Sequence, residues 1–157
     1  MKSRIIVSGI ICRGDEILLG KKAKGRPPYP DVWHLIGGGV HDEERALELL
    51  ERRDYDNPYF HGELKREIRE EVGIEVTDIS NLCPEYRQTP RQAVTPNKHG
   101  EDTHYTFLEF LCQYLSGIPT PADDIAEISW VKRNQLAQVR VTKPSQEMYR
   151  ELGWLKR

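Results

Sequence analysis

The stretch "HGELKREIREEVGIEV", residues 61–76, sets Glu63, Glu67, Glu70 and Glu71 within three turns of one helix. With Glu67 as origin and about 100° per residue, Glu71 falls near about 40°, Glu70 near about −60° and Glu63 near about −40°. The four carboxylates therefore share an arc of roughly 100°. Beside them Leu64, Ile68 and Val72 repeat at i, i+4 and i+8, a row that demands burial. The ends are marked as well: Asn57 suits the N-cap, Pro58 the first helical position, and Gly73 a left-handed close. Like charges at these spacings cost about 0.2–0.5 kcal/mol per pair. A divalent cation would offset that cost. The competing reading is a solvated face neutralised by Lys65, Arg66 and Arg69.

Around this helix the chain reads mostly as strands. "RIIVSGIIC" is rich in β-branched residues, and "EILLGKKA" returns from it through a turn at Arg13, Gly14 and Asp15. "KGRPPYPD" is a proline-rich loop. "VWHLIGGGV" is a strand running into three glycines, where backbone without Cβ atoms can approach a ligand or a helix closely. "HDEERALELLERR" follows as a helix with Asp42 as N-cap and Ala46, Leu47, Leu49 and Leu50 on one broad side. Beyond Gly73, "IEVTDIS" and "CPEYRQT" read as strands, "PRQAVTPNKHGED" as a polar loop and "HYTFLEFLCQYL" as a long strand buried on both sides. "GIPTPADD" is a loop, "EISWVK" a short strand, and "RNQLAQ" and "KPSQEMYRELGWL" are helices. Strands on either side of a central helix predict a mixed sheet sandwiched between helices, α/β or α+β.

A length of 157 residues suits one domain, residues 1–157. The formal net charge of −2 supplies no basic field for duplex nucleic acid, so a polyanionic substrate needs local positive charge. Lys22 and Arg87 are taken as substrate-binding on that ground, with Lys21 and Arg91 of the same type. The cysteines, Cys12, Cys83 and Cys112, are odd in number and far apart, which predicts neither a zinc site nor a disulfide framework but a reducing, cytoplasmic setting. No apolar run approaches membrane-spanning length, so no membrane contact is expected.

"REIREEVGI", Arg66 to Ile74, together with the Gly38-to-Glu44 spacing of five intervening residues, resembles the signature of the Nudix hydrolases. That signature runs Gly, five residues, Glu, seven residues, then Arg-Glu-aliphatic-any-Glu-Glu-any-Gly-aliphatic. "LLGKKA", the Trp33 before the glycines and the later "WV" match the family's layout over nearly the whole chain. The departure is an insertion: twenty-one residues separate Glu44 from Arg66 where the family has seven, so about fourteen are extra. They form an added helix, at about 42–57, before the catalytic one.

The resemblance implies Mg²⁺- or Mn²⁺-dependent hydrolysis of the diphosphate linkage in a nucleotide-type small molecule. A nucleoside triphosphate or a nucleotide sugar such as ADP-ribose fits, the latter because Pro90 lies sixteen residues after Ile74. Glu67, Glu70 and Glu71 with the Gly37 carbonyl are the implied metal ligands. Glu67, Glu70 and Arg66 are the implied catalytic set, with Glu67 either a further ligand or the general base and Arg66 orienting carboxylates. Glu44 and Glu63 stay open, the first because it can ride on the insertion, the second as an extension of the stripe. The inserted helix is expected at the cleft rim or at a homodimer interface. Rival readings are a non-catalytic nucleotide sensor on the same fold, an allylic diphosphate isomerase, and an acidic interaction domain with no metal dependence.

Overall fold

Strand β1 (Lys2–Arg13) carries the architecture, because its two edges and two faces are all used. It turns at Gly14 into β2 (Glu16–Lys22), with which it pairs only at Cys12↔Ile17 and Arg13↔Glu16. β2 then leaves β1 and pairs with β3 (Trp33–His34) on one side and β8 (Ile125–Lys132) on the other. The vacated edge of β1 is taken by β4 (Ile36–Gly39), antiparallel from Ile6↔Gly39 to Gly9↔Ile36. On its far edge β1 runs parallel to β7 (Asp102–Ser116), whose other edge holds β5 (Glu75–Asn81) and β6 (Arg91–Pro96). The computed structural model describes residues 1–22, 31–122 and 124–156.

The period of two along β1 and β7 divides the apolar residues between two faces. Ile5, Val7, Leu108, Phe110 and Cys112 turn toward helix α2 (Pro58–Val72), which contributes Phe60, Leu64, Ile68 and Val72, each fully buried. Ile10, Cys12 and Ile17 turn the other way, toward the 3₁₀ helix Arg133–Gln138 and α3 (Lys143–Glu151) with its buried Met148 and Tyr149. Helices thus cover both faces of a mixed sheet, an α+β arrangement. Burying each large side chain of the α2 row contributes about 1.5–3 kcal/mol. The ends of α2 are as the sequence predicts: the Asn57 side chain accepts from Tyr59 N–H, and Gly73 closes the helix at φ 70°. Its last carbonyls are met from outside, Val72 by Thr120 N–H and Glu71 by Ala122 N–H.

Three expectations change. "CPEYRQT" is a turn rather than a strand, since Asn81 Oδ1 takes the Cys83 N–H and Leu82 O takes that of Tyr86. The "polar loop" after Pro90 begins as β6, paired with β7 from Arg91↔Phe107 to Pro96↔Asp102. Its residues alternate between half-buried and exposed, so its pattern lacks the apolar face by which a strand is recognised. "VWHLIGGGV" breaks at Leu35 into β3 and β4, which join different partners. Most of the proline-rich loop lies outside the described residues.

The insertion folds as α1 (Glu43–Glu51), with the Asp42 carboxylate accepting from Arg45 N–H. Ala46 and Leu49 enter the core on the α2 side, whereas Leu47 is 46% exposed, so the apolar side is narrower than expected. Asp56 at its far end accepts from Asn81 N–H at 2.7 Å and pairs with His61 at 2.9 Å. The insertion is therefore a packed element, fastened to β1 at one end and β5 at the other. None of it lines the cleft described below.

Candidate active site

The register Val7↔Gly38 and Ser8↔Gly37 holds the glycines as a strand directly beneath α2. A side chain at Gly38 would occupy the place of the Glu67 carboxylate, so the glycine is what lets Glu67 lie against this backbone. Glu63, Glu67 and Glu71 are each 9% exposed, while Glu70 is exposed. The stripe is therefore one arc, half sunk between helix and glycine strand.

Arg66 sits at its centre. Nε donates to Glu63 Oε2 at 3.0 Å, and Nη1 lies 3.1 Å from both Glu67 Oε1 and Glu70 Oε2. Nη2 reaches the Gly39 carbonyl at 3.4 Å. Burial disfavours the charged guanidinium, but these carboxylates outweigh it and hold the Arg66 pKa above its ordinary value. Burial also pushes the Glu67 carboxyl upward; Arg66 opposes, and Glu70 adds to the rise. For Glu63 the balance is reversed. Burial pushes up, but Arg66, the His41 N–H and Tyr59 together bring its carboxyl below the usual value.

Glu44 is exposed on α1, without an ion pair or side-chain hydrogen bond among the described residues. Its neighbour Glu43 turns inward instead, 3.1 Å from Arg4 Nε. The structure does not bring Glu44 to Arg66.

A cleft of about 400 Å³ opens beside the stripe. Gly37, Gly38 and Glu71 bound one end, Tyr105 and Phe107 another, with Ser8, Lys22, His34, Thr95 and Asp124 around it. The Tyr105 and Phe107 rings stack at 5.8 Å, and the Arg91 guanidinium lies 3.8 Å over Phe107. His34 Nδ1 is 2.8 Å from Leu35 O, and burial lowers its pKa, leaving a neutral imidazole at the wall. Lys22 is among the residues lining the cleft. Arg87 is not: it is locked between Glu109 at 2.6 Å and Glu151 at 2.5 Å, with its side chain 11% exposed. Being cationic said nothing about which carboxylates the fold would supply. The aromatic pair was missed, although alternation in "HYTFLEF" sets Tyr105 and Phe107 on the face away from α2, opposite Leu108 and Phe110.

The stripe offers hard oxygen donors in Glu67, Glu70 and Glu71, and Gly37 lines the cleft together with Glu71. Among the described residues no three His, Cys, Asp or Glu groups already converge on one point, since Glu67 and Glu70 lean on Arg66. The donor set nevertheless fits a divalent cation such as Mg²⁺. It is all oxygen, and one carboxylate pressed on glycine backbone pays for its charge through burial.

The NUDIX domain family model matches residues 64–152. Among curated proteins, a nucleoside triphosphatase NudI of Klebsiella pneumoniae (strain 342) is 31% identical over 137 residues, covering 87% of this chain and 86% of that one. NudI of Salmonella agona (strain SL483) is 30% identical over 138 residues, 87% of each. Among solved structures, a MutT NUDIX hydrolase from Burkholderia pseudomallei superposes with a TM-score of 0.65 at 23% identity, over 97% of this chain and 99% of that chain. The NUDIX domain of Shewanella oneidensis NrtR, complexed with ADP ribose, gives 0.62 at 11% identity, over 98% and 86%. The family match and the NudI relatives thus define a hydrolase of nucleotide-linked phosphoric anhydrides. The chain belongs to the Nudix family and is a Nudix-type pyrophosphohydrolase.

Proposed function

We propose that this chain hydrolyses nucleoside triphosphates in a Mg²⁺-dependent reaction, as a single domain of residues 1–157 carrying an insertion at about 42–57. The observation that supports it is one cleft with a carboxylate-and-glycine wall at Gly37, Gly38 and Glu71 and an aromatic pair at Tyr105 and Phe107. A nucleotide has both parts, a polyanion and a flat base. The NudI relatives, which cover most of both chains, are named for triphosphatase activity.

Glu70, Glu71 and the Gly37 carbonyl would hold the metal. When bound, it would neutralise diphosphate oxygens and lower the pKa of the attacking water. Lys22 at the cleft wall binds a substrate phosphate oxygen. Tyr105 and Phe107 give the base an apolar face on which to stack. Glu67, whose burial favours its protonated form, is the group suited to take the proton from the attacking water. Arg66 holds Glu67 and Glu70 in place, and of the four stripe carboxylates Glu71 is the one that lines the cleft itself.

The ADP-ribose reading rests on Pro90, which lines a separate groove with Arg87, Thr89 and Glu151. The test is a panel of nucleoside triphosphates, nucleotide sugars and dinucleoside polyphosphates, assayed with and without Mg²⁺. Triphosphates should be cleaved to a nucleoside monophosphate and pyrophosphate, and faster than the others. Preference for ADP-ribose, or turnover indifferent to chelation, would overturn the proposal.

A further inference from the structure

The insertion separates Arg66 from the glutamate that the family signature would supply, and the same helix offers a substitute one turn before Arg66. Both oxygens of Glu63 are engaged. Oε2 takes the Arg66 Nε–H at 3.0 Å, while Oε1 takes the His41 backbone N–H at 2.6 Å and the Tyr59 hydroxyl at 3.2 Å. His41 opens the loop from the glycine strand into the insertion, and Tyr59 also accepts from Asp42 N–H at 3.0 Å. Tyr59, Glu63 and Arg66 stand at i, i+4 and i+7 on the first turns of α2, so one helix face grips that loop. Arg66 Nη2 closes the grip on the Gly39 carbonyl.

We propose that Glu63 is the positioning residue of this enzyme. It fixes the Arg66 guanidinium, and through it Glu67 and Glu70, and it fixes the end of the glycine strand, a task that Glu44 no longer performs. The inference rests on the reading of the carboxylate stripe given above. It assigns Glu63 no contact with substrate. The insertion could lengthen the chain between Glu44 and Arg66 because the link it broke is remade within α2.

The test compares E63A, E63Q and E44A in the full chain, by kinetics and by metal-free NMR of the Arg66 Nε–H and the His41 amide. E63A should lower kcat by about 10–100-fold, the usual effect of losing a supporting hydrogen-bond partner, with KM within about two-fold of wild type. E63Q keeps one acceptor oxygen and should fall between wild type and E63A. E44A should match wild type within about two-fold. In metal-free protein the Arg66 Nε–H should exchange slowly in wild type and E44A, faster in E63Q and too fast to observe in E63A. The proposal is overturned if E63A retains wild-type kcat, if its loss lies in KM, if E44A loses as much, or if the Arg66 Nε–H stays protected without Glu63. Should E63A not fold, the same two readouts on E63Q decide, and wild-type values there contradict the proposal. Should wild type show no metal-dependent turnover, the proposed reaction falls, while the metal-free NMR still decides the role of Glu63.

Discussion

Glu63 and Glu67 lie one turn apart on one helix face, yet their surroundings push them in opposite directions. For Glu67 the folded-state pKa is raised, so its contribution to stability is full below the unfolded value, about 4.3, and is lost as pH rises through the folded one. For Glu63 it is lowered, so its contribution is present above the unfolded value and is lost as pH falls through the folded one. Metal-free E67Q should therefore be more stable than wild type at neutral pH, and metal-free E63Q less stable. Both differences should shrink as pH falls through the glutamate range in urea titrations, and a shared sign at neutral pH would contradict the account. Arg87 separates structure from binding. R87A leaves the 8%-exposed Glu109 without its closest cation, a loss of about 3 kcal/mol. KM should hold in R87A but rise several-fold in K22A, which removes a cation from the cleft wall. Residue type made both cations candidates from sequence; only the fold could say that one of them had already been neutralised.

At the scale of elements, α2 was the most legible part of the chain, because cap, proline, apolar row and closing glycine all point to one answer. α1 was legible in existence but not in facing. Ala46 and Leu49 are buried and Leu47 is not, since a nine-residue helix laid on a crowded sheet buries a narrow stripe. L49A should accordingly cost about 2–4 kcal/mol in urea unfolding, while L47A stays within about 0.5 kcal/mol. Equal effects would mean that α1 is not seated as described. The insertion's expected place, at the cleft rim or at a homodimer interface, followed from its junctions beside Gly38 and Pro58; it does not line the cleft, because proximity at a junction does not fix where the intervening helix packs. β6 escaped notice because half-wet polar strands carry little periodic signal. The cleft was legible only by its glycine and carboxylate end, since the aromatic end depends on which faces of β1 and β7 remain uncovered once α2 has docked.

For the whole molecule, a cation bound only by the folded state must raise its stability by mass action. At 100 times its dissociation constant Mg²⁺ should contribute about 2.7 kcal/mol, or roughly 5–10 °C in Tm for a chain of this size. The E67Q/E70Q/E71Q variant should lose that response, and an undiminished shift would put the cation elsewhere. The central claim, that the stripe on α2 runs metal-dependent nucleotide hydrolysis, is tested most directly by E70Q. Replacing Glu70 with glutamine keeps the volume of an exposed side chain but loses both its ion pair to Arg66 and its repulsion of Glu67, opposing effects of similar size, so circular dichroism and metal-free stability should stay close to wild type. Mg²⁺-dependent release of pyrophosphate from a nucleoside triphosphate should then fall by about 10³-fold or more, near 4 kcal/mol of transition-state stabilisation. A folded E70Q that keeps more than about a tenth of wild-type turnover, a loss of only about 1.4 kcal/mol, would contradict the assignment.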